Sequence, residues 1–93
     1  MKAIWKNTII AESDDTQEVE GNAYFPPESL HMKFFEKTTH TTHCPWKGEA
    51  SYYTIVVDGE RNENAAWTYE DPKPEAKNIK EHIAFWKGVE VKQ

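Results

Sequence analysis

The pattern of apolar and polar positions along the chain predicts a series of short strands. Apolar residues occur in brief runs with turn-forming residues between them, which is typical of antiparallel sheets. The clearest strand runs from Ser51 to Val57. Its alternate positions hold Tyr53, Ile55 and Val57 on one face, and Tyr52, Thr54 and Val56 on the other. Because both faces are largely apolar or aromatic, we expect this strand to lie in the middle of a sheet.

Turn-forming residues mark where neighbouring strands end. Lys6-Asn7 separates two apolar runs near the start of the chain, and asparagine tolerates the positive φ of a tight hairpin. Asp58-Gly59 is a second turn signal, directly after the central strand. We then expect Glu60 to Asn64 to form a charged hairpin tip and the return strand to run on to Tyr69.

Other segments of the pattern are weaker. Met32 to Lys37 alternates and is predicted to be a strand, whereas Thr38 to His43 is polar and is predicted to be a loop. Pro74 to about Lys80 is predicted to be the one short helix, because proline suits a first helical turn and Glu75 is favourable there. His82 to Trp86 is predicted to return to strand.

Taken together, the elements predict a mostly β protein (β-rich α+β) with the strands antiparallel. We expect a small barrel-like or folded-over sheet with one short helix near residues 74–80. The length of 93 residues indicates a single domain, residues 1–93. Four Trp, four Tyr and four Phe residues supply much of the core, since an aromatic side chain buries about 150–250 Å².

Charge and composition exclude several classes of partner. The net charge is −5 and no basic stripe is present, so no nucleic-acid partner is expected. No apolar run approaches the roughly 20 residues of a membrane span, so no membrane partner is expected. The single cysteine cannot form an internal disulfide, which favours a reducing, cytoplasmic location.

The densest group of chemically distinctive residues lies between Cys44 and Tyr53. It brings a thiol, an indole, an ammonium group and two phenols within ten positions, around a proline and a glycine. Together with aromatic residues at other strand ends, this group predicts an aromatic-lined pocket for an unidentified small molecule. The predicted ligand-binding residues are Tyr24, Phe25, Cys44, Trp46, Lys47, Tyr52, Trp67 and Tyr69. Trp5 and Trp86 are assigned to packing.

Two other functions remain open from the residues alone. Cys44 could act as the nucleophile of an enzyme, with His43 or His40 as its base. Alternatively, the aromatic residues could anchor a protein partner. The spacing His40-x-x-His43-Cys44 offers soft metal ligands but matches no standard zinc pattern, so we expect no metal and no cofactor.

Three motifs give the chain a specific resemblance to a known family. They are Glu20-Gly21-Asn22-x-Tyr24-Phe25-Pro26, Thr42-x-Cys44-Pro45-Trp46-Lys47-Gly48-x-Ala50-Ser51-Tyr52-Tyr53 and Asn64-x-Ala66-Trp67-x-Tyr69-x-x-Pro72-x-Pro74-Glu75-Ala76. In their order and spacing the chain resembles the domain of unknown function 427 family, over nearly its whole length.

The resemblance implies a β-rich single domain with β-tent-like sheets, similar to the thalidomide-binding domain of cereblon. Those relatives commonly carry a four-cysteine zinc site, and the single cysteine here implies that this site is absent. The family also carries a nucleotidyltransferase-like label. The resemblance to such enzymes would require a Gly-Ser motif followed by an Asp-x-Asp pair, and neither feature is visible in this sequence.

Overall fold

Nine strands in three antiparallel sheets make up most of the chain. The computed structural model describes residues 1–93. The strands are β1 (Lys2–Trp5), β2 (Thr8–Glu12), β3 (Gln17–Val19), β4 (Asn22–Tyr24), β5 (Phe35–Cys44), β6 (Gly48–Val57), β7 (Glu60–Thr68), β8 (Ile83–Phe85) and β9 (Glu90–Lys92). The prediction of a mostly β, antiparallel protein is therefore confirmed.

The largest sheet has the strand order β5-β6-β7-β8. It places β6 between two neighbours, as its two apolar faces predicted. A second sheet has the order β2-β1-β9, and β3 and β4 form a separate two-stranded hairpin. Backbone hydrogen bonds between Phe25 and Ile83, at 2.7 and 2.8 Å, connect the end of this hairpin to β8. These bonds hold the end of the hairpin beside β8, the edge strand of the four-stranded sheet.

Two tight turns form at the predicted positions. Lys6 and Asn7 have φ values of 53° and 57°, and Asp58 and Gly59 have 51° and 78°. The second turn needs only two residues, so the prediction that Glu60 to Asn64 forms a hairpin tip is wrong. These residues belong to β7 and pair directly with β6, beginning with Glu60 opposite Val57.

The predictions for residues 32–43 are also wrong in part. Met32–Phe34 is a turn of 3₁₀ helix, and the strand begins only at Phe35. The predicted loop from Thr38 to His43 lies inside β5, which pairs with β6 from Phe35↔Ile55 to Cys44↔Gly48. This strand is polar because it lies at the sheet edge with most of its side chains exposed, and its threonines favour extended backbone.

The helical segments are all short 3₁₀ turns. Pro74–Ile79 occupies the position of the predicted helix, but Ala76 has a non-helical φ of −116° and divides it into two turns. Pro27–Ser29 forms another such turn, with a proline at its start. None of these helices is long and apolar enough to cross a membrane.

The interior consists of two apolar clusters. The larger cluster of 12 residues joins the β1-β2-β9 sheet to the four-stranded sheet, with Ile10, Phe25 and Ile55 fully buried. The smaller cluster lies under the β3–β4 hairpin and contains Tyr24, Ala50, Tyr69, Ala76, Ile79 and Ala84. Two members of this second cluster are tyrosines, Tyr24 and Tyr69, so their hydroxyl groups must form hydrogen bonds or face a cavity.

Two buried threonines provide a matched test of polar burial. Thr54 is fully buried, and its hydroxyl bonds the Glu63 carboxylate at 3.1 Å and the Asn64 N–H at 3.2 Å. The Thr68 hydroxyl is buried without a partner in the protein. We expect Thr68→Val to raise the free energy of unfolding by about 1 kcal/mol and Thr54→Val to lower it by about 1–3 kcal/mol. Urea unfolding at constant m-value measures both; a destabilised Thr68→Val protein would contradict the assignment.

Candidate functional site

A cavity of about 250 Å³ opens between the β3–β4 hairpin and one face of the four-stranded sheet. Its walls come from separate parts of the chain, and aromatic rings form most of them. The lining residues are Asn22, Tyr24, Lys47, Tyr52, Trp67, Tyr69 and Trp86. The volume is slightly below the range usual for drug-sized ligands, so the cavity suits a compact molecule.

The β5–β6 turn brings Lys47 into the cavity wall. Cys44 pairs with Gly48, so Pro45, Trp46 and Lys47 form a three-residue turn between the strands. Gly48 has a φ of 112°, which an L side chain rarely adopts, and this glycine turns the chain sharply after Lys47. The Lys47 carbonyl accepts a 2.9 Å hydrogen bond from the backbone N–H of Lys73, which fixes the turn against the following segment.

Lys47 is a buried cation with an exposed partner. Its side chain is only 6% exposed, whereas that of Glu20 is 54% exposed. The ammonium group donates a hydrogen bond to the Glu20 carboxylate, and Trp46 Nε1 donates to the other carboxylate oxygen at 3.4 Å. The ammonium nitrogen also lies 4.8 Å from the Trp46 ring centroid and 5.7 Å from that of Tyr69, within cation–π range.

The ion pair shifts both pKa values away from neutrality. Burial opposes the charge of Lys47 and is the largest single influence on it, but the hydrogen bond to Glu20 and the charge interactions with Tyr69, Tyr24 and Cys44 together outweigh burial. The pKa of Lys47 is therefore raised above 10.5. The hydrogen bonds from Lys47 and Trp46 lower the pKa of Glu20 below 4.5. The contribution of Glu20 to the stability of the fold is therefore fully present above pH 4.5. It is lost as the pH falls through the lowered pKa of Glu20.

We expect Glu20→Gln to reduce the acid sensitivity of folding. The wild-type protein should lose stability as the pH falls below 4.5, because protonation breaks the bond to Lys47. The variant should be less stable than wild type at neutral pH and lose less stability on acidification. Urea unfolding across this pH range measures the slope. Glu28→Gln, which alters an exposed carboxylate outside any ion pair, is the control and should keep the wild-type slope.

The remaining walls form a connected set of aromatic rings. Trp67 packs edge-to-face against Tyr24, with centroids 6.2 Å apart, and against Trp86 at 6.3 Å. Trp67 Nε1 donates a 3.2 Å hydrogen bond to the Tyr24 hydroxyl. Burial raises the pKa of Tyr69 to about 12, so its phenol stays protonated near neutral pH. The Tyr52 hydroxyl forms a 3.0 Å hydrogen bond with Thr42 Oγ1.

Five of the eight predicted ligand-binding residues line this cavity: Tyr24, Lys47, Tyr52, Trp67 and Tyr69. Phe25 lies instead in the larger core cluster, fully buried. Trp46 is 38% exposed on the outer side of its turn, and Cys44 is half-buried beside the smaller cluster. The adjacent residues Tyr24 and Phe25 separate because alternate positions at the end of a strand point to opposite sides.

Two lining residues were missed in the sequence. Trp86 was assigned to packing, yet it is 48% exposed and forms part of the wall, with its Nε1 donating to the Asn64 carbonyl at 2.7 Å. Its position beside the Lys87-Gly88 turn is the same strand-end signal that identified the other aromatic residues. Asn22 carried only a turn signal, next to Gly21.

Cys44 sits in an environment that stabilises its thiolate but lacks an adjacent base. Burial raises the pKa of the thiol, and the backbone N–H groups of Lys47 and Trp46, with the Lys47 charge, lower it by more. His43 is the next residue along β5, so its side chain points to the opposite face of the strand. No group of three or more His, Cys, Asp or Glu side chains is placed to hold a metal ion.

Comparison with known proteins places the chain in a family without assigning an activity. No curated protein matches the chain. The motifs around Glu20, Cys44 and Trp67 lie in the cavity wall or next to it, so the family resemblance and the site coincide in space. The chain matches the family described as Domain of unknown function (DUF427) over residues 1–93, its whole length, and it belongs to that family.

Proposed function

We propose that the protein is a small-molecule binding module whose ligand occupies the aromatic cavity. The observation that carries the proposal is a cavity of about 250 Å³ walled by five aromatic side chains with one buried ammonium group among them. An apolar concave wall with a few placed polar groups is the usual character of a ligand site. A reducing, cytoplasmic location belongs to the same proposal and is supported by the single free cysteine.

Two features of the cavity wall support a bound ligand. Trp86 lines the cavity and leaves almost half of its surface exposed. Lys47 is desolvated, and its charge is compensated only by the exposed carboxylate of Glu20. Both features are typical of a site whose walls are completed by a bound molecule.

A thermal-shift screen combined with tryptophan fluorescence tests the proposal. The panel consists of planar carboxylates, nucleobases, cyclic amides and quaternary amines. A ligand present at about 100 times its dissociation constant should add roughly 2.7 kcal/mol of stability, which is several degrees for a domain of this size. Binding should also change the emission of Trp67 and Trp86, since both indoles line the cavity.

Matched variants separate pocket binding from other effects. Trp86→Ala should abolish most of the thermal shift, whereas Ile9→Ala, which alters another exposed apolar side chain outside the cavity, should retain it. Cys44→Ser should also retain binding; loss of binding in this variant would favour the cysteine-dependent enzyme. Absence of any shift from the whole panel would contradict the module and favour an aromatic surface for a protein partner.

A further inference from the structure

The polar groups that face the cavity are mainly hydrogen-bond donors. Tyr69 is only 6% exposed, and its phenol makes no hydrogen bond within the protein. The pKa of this phenol, raised to about 12, keeps its proton in place. The Tyr24 hydroxyl accepts the Trp67 N–H and so keeps its own proton available. Lys47 adds an ammonium group, which has donors and no acceptor.

The charge in the wall selects against a cationic ligand. Several aromatic rings around a cavity can form a cage for a quaternary amine, but such a cage gains its affinity from a cation over the ring faces. Here the protein already supplies that cation, since Lys47 lies over the Tyr69 ring. No carboxylate lines the cavity to balance a second positive charge. A ligand that brings an anion therefore fits the wall better than one that brings a cation.

The partner of Lys47 can leave at low cost. Lys47 is held inside the wall, but more than half of the Glu20 side chain is in contact with water. Glu20 sits in the β3–β4 turn with a positive φ of 55°, where only its side chain has to rotate to leave the lysine. Its carboxylate can be fully hydrated there, whereas the ammonium group of Lys47 needs a replacement acceptor.

We propose that the ligand is a planar carboxylate, and that its carboxylate replaces Glu20 on Lys47 while its ring lies between the aromatic walls. The inference rests on the proposed binding function and specifies the chemical class of the ligand. In this arrangement Glu20 acts as a competing carboxylate that belongs to the protein. The Tyr69 hydroxyl is the second donor to the bound carboxylate, because its proton has no partner in the free protein.

The test compares three probes that share a naphthalene ring and differ mainly in charge: naphthoate, its neutral amide naphthamide, and the cation naphthamidinium. Isothermal titration with the full-length protein measures each dissociation constant. We expect naphthoate to bind at least tenfold more tightly than naphthamide, and naphthamidinium to bind most weakly. In Lys47→Met the preference for naphthoate over naphthamide should disappear, while binding of the amide persists.

Glu20→Gln gives a result that a purely structural role would not produce. Removal of the competing carboxylate should tighten naphthoate binding by roughly three- to fivefold, a modest gain because the Glu20 side chain is more than half exposed and its hold on Lys47 is screened by water. Naphthamide binding should not change. This variant keeps the test decisive if Lys47→Met fails to fold.

A pair of phenol variants tests the second donor. Tyr69→Phe should weaken naphthoate binding by roughly ten- to a hundredfold, the effect of losing one hydrogen bond to a charged group. Tyr53→Phe, which removes a phenol outside the cavity, should bind naphthoate as wild type does. Equal binding by Tyr69→Phe and Tyr53→Phe would overturn the assignment of Tyr69.

The outcomes separate this inference from the function on which it rests. Equal affinity for all three probes, or weaker naphthoate binding by Glu20→Gln, would overturn the carboxylate inference and leave the binding module intact. So would a panel in which only nucleobases, cyclic amides or amines bind. If no compound of any class binds, the binding module itself is contradicted.

Discussion

Replacing Phe25 with alanine is expected to lower the free energy of unfolding by about 3–5 kcal/mol. Phe25 is fully buried and packs edge-to-face against Phe85, with ring centroids 5.5 Å apart. The backbone N–H and the carbonyl of Phe25 are both hydrogen-bonded to Ile83. Because these bonds hold the backbone in place, the core cannot close over the space that an alanine would leave. Chemical denaturation monitored by circular dichroism measures the loss.

The size of this loss also tests the burial of Phe25 in the larger core cluster. Domains of this size have total stabilities of only about 5–15 kcal/mol, so the variant should be close to unfolding at physiological temperature. Phe34→Ala is the control, since Phe34 is only partly buried at the margin of the same cluster and should cost about 1 kcal/mol. A loss of less than about 1 kcal/mol from Phe25→Ala would contradict its place in the core.

The second large effect is expected at Trp67. Trp67→Ala should lower the free energy of unfolding by about 3–5 kcal/mol, because the indole contacts Tyr24 and Trp86 and is anchored by its hydrogen bond to the Tyr24 hydroxyl. The variant should also lose near-ultraviolet circular dichroism, since three packed aromatic rings would lose their fixed arrangement. Urea unfolding and the dichroism spectrum measure the two effects independently.

Trp46→Ala is the matched comparison for the Trp67 variant. The Trp46 indole is 38% exposed, and its contacts are a long hydrogen bond to Glu20 and a cation–π contact with Lys47. Its truncation should therefore cost about 1 kcal/mol. Similar losses from the two tryptophan variants would contradict the structural distinction between a wall residue and an outer turn residue.

Local chemistry made the turns and the central strand predictable. Asn7 and Gly59 tolerate positive φ, and the apolar faces of the Ser51 to Val57 segment required two neighbours. The edge strand β5 escaped prediction because strand patterns are recognised by buried alternation, and an exposed strand has none. The length of β5 is set by its pairing with β6. The Thr-rich sequence of β5 alone therefore does not indicate where the strand begins and ends.

The candidate site was predictable in kind but not in detail. Aromatic residues at strand ends identified most of the wall, because such positions face outward from a small core. Three facts depended on tertiary structure: Phe25 turns inward, Trp86 turns toward the cavity, and Lys47 is buried by its turn. The partner of Lys47 is 27 residues away in sequence, so no local pattern could indicate it.

The distribution of the cavity wall along the chain has a consequence for folding kinetics. The wall begins at Asn22 and ends at Trp86, so it exists only after the β3–β4 hairpin and the last strand of the large sheet have both docked. Contacts this distant in sequence form late, because chain entropy opposes them until most of the structure is in place. A ligand bound there, as proposed, would therefore slow unfolding and leave the rate of folding almost unchanged. Under the proposed function, ligand supply would govern how long a folded molecule lasts rather than how quickly a new one forms.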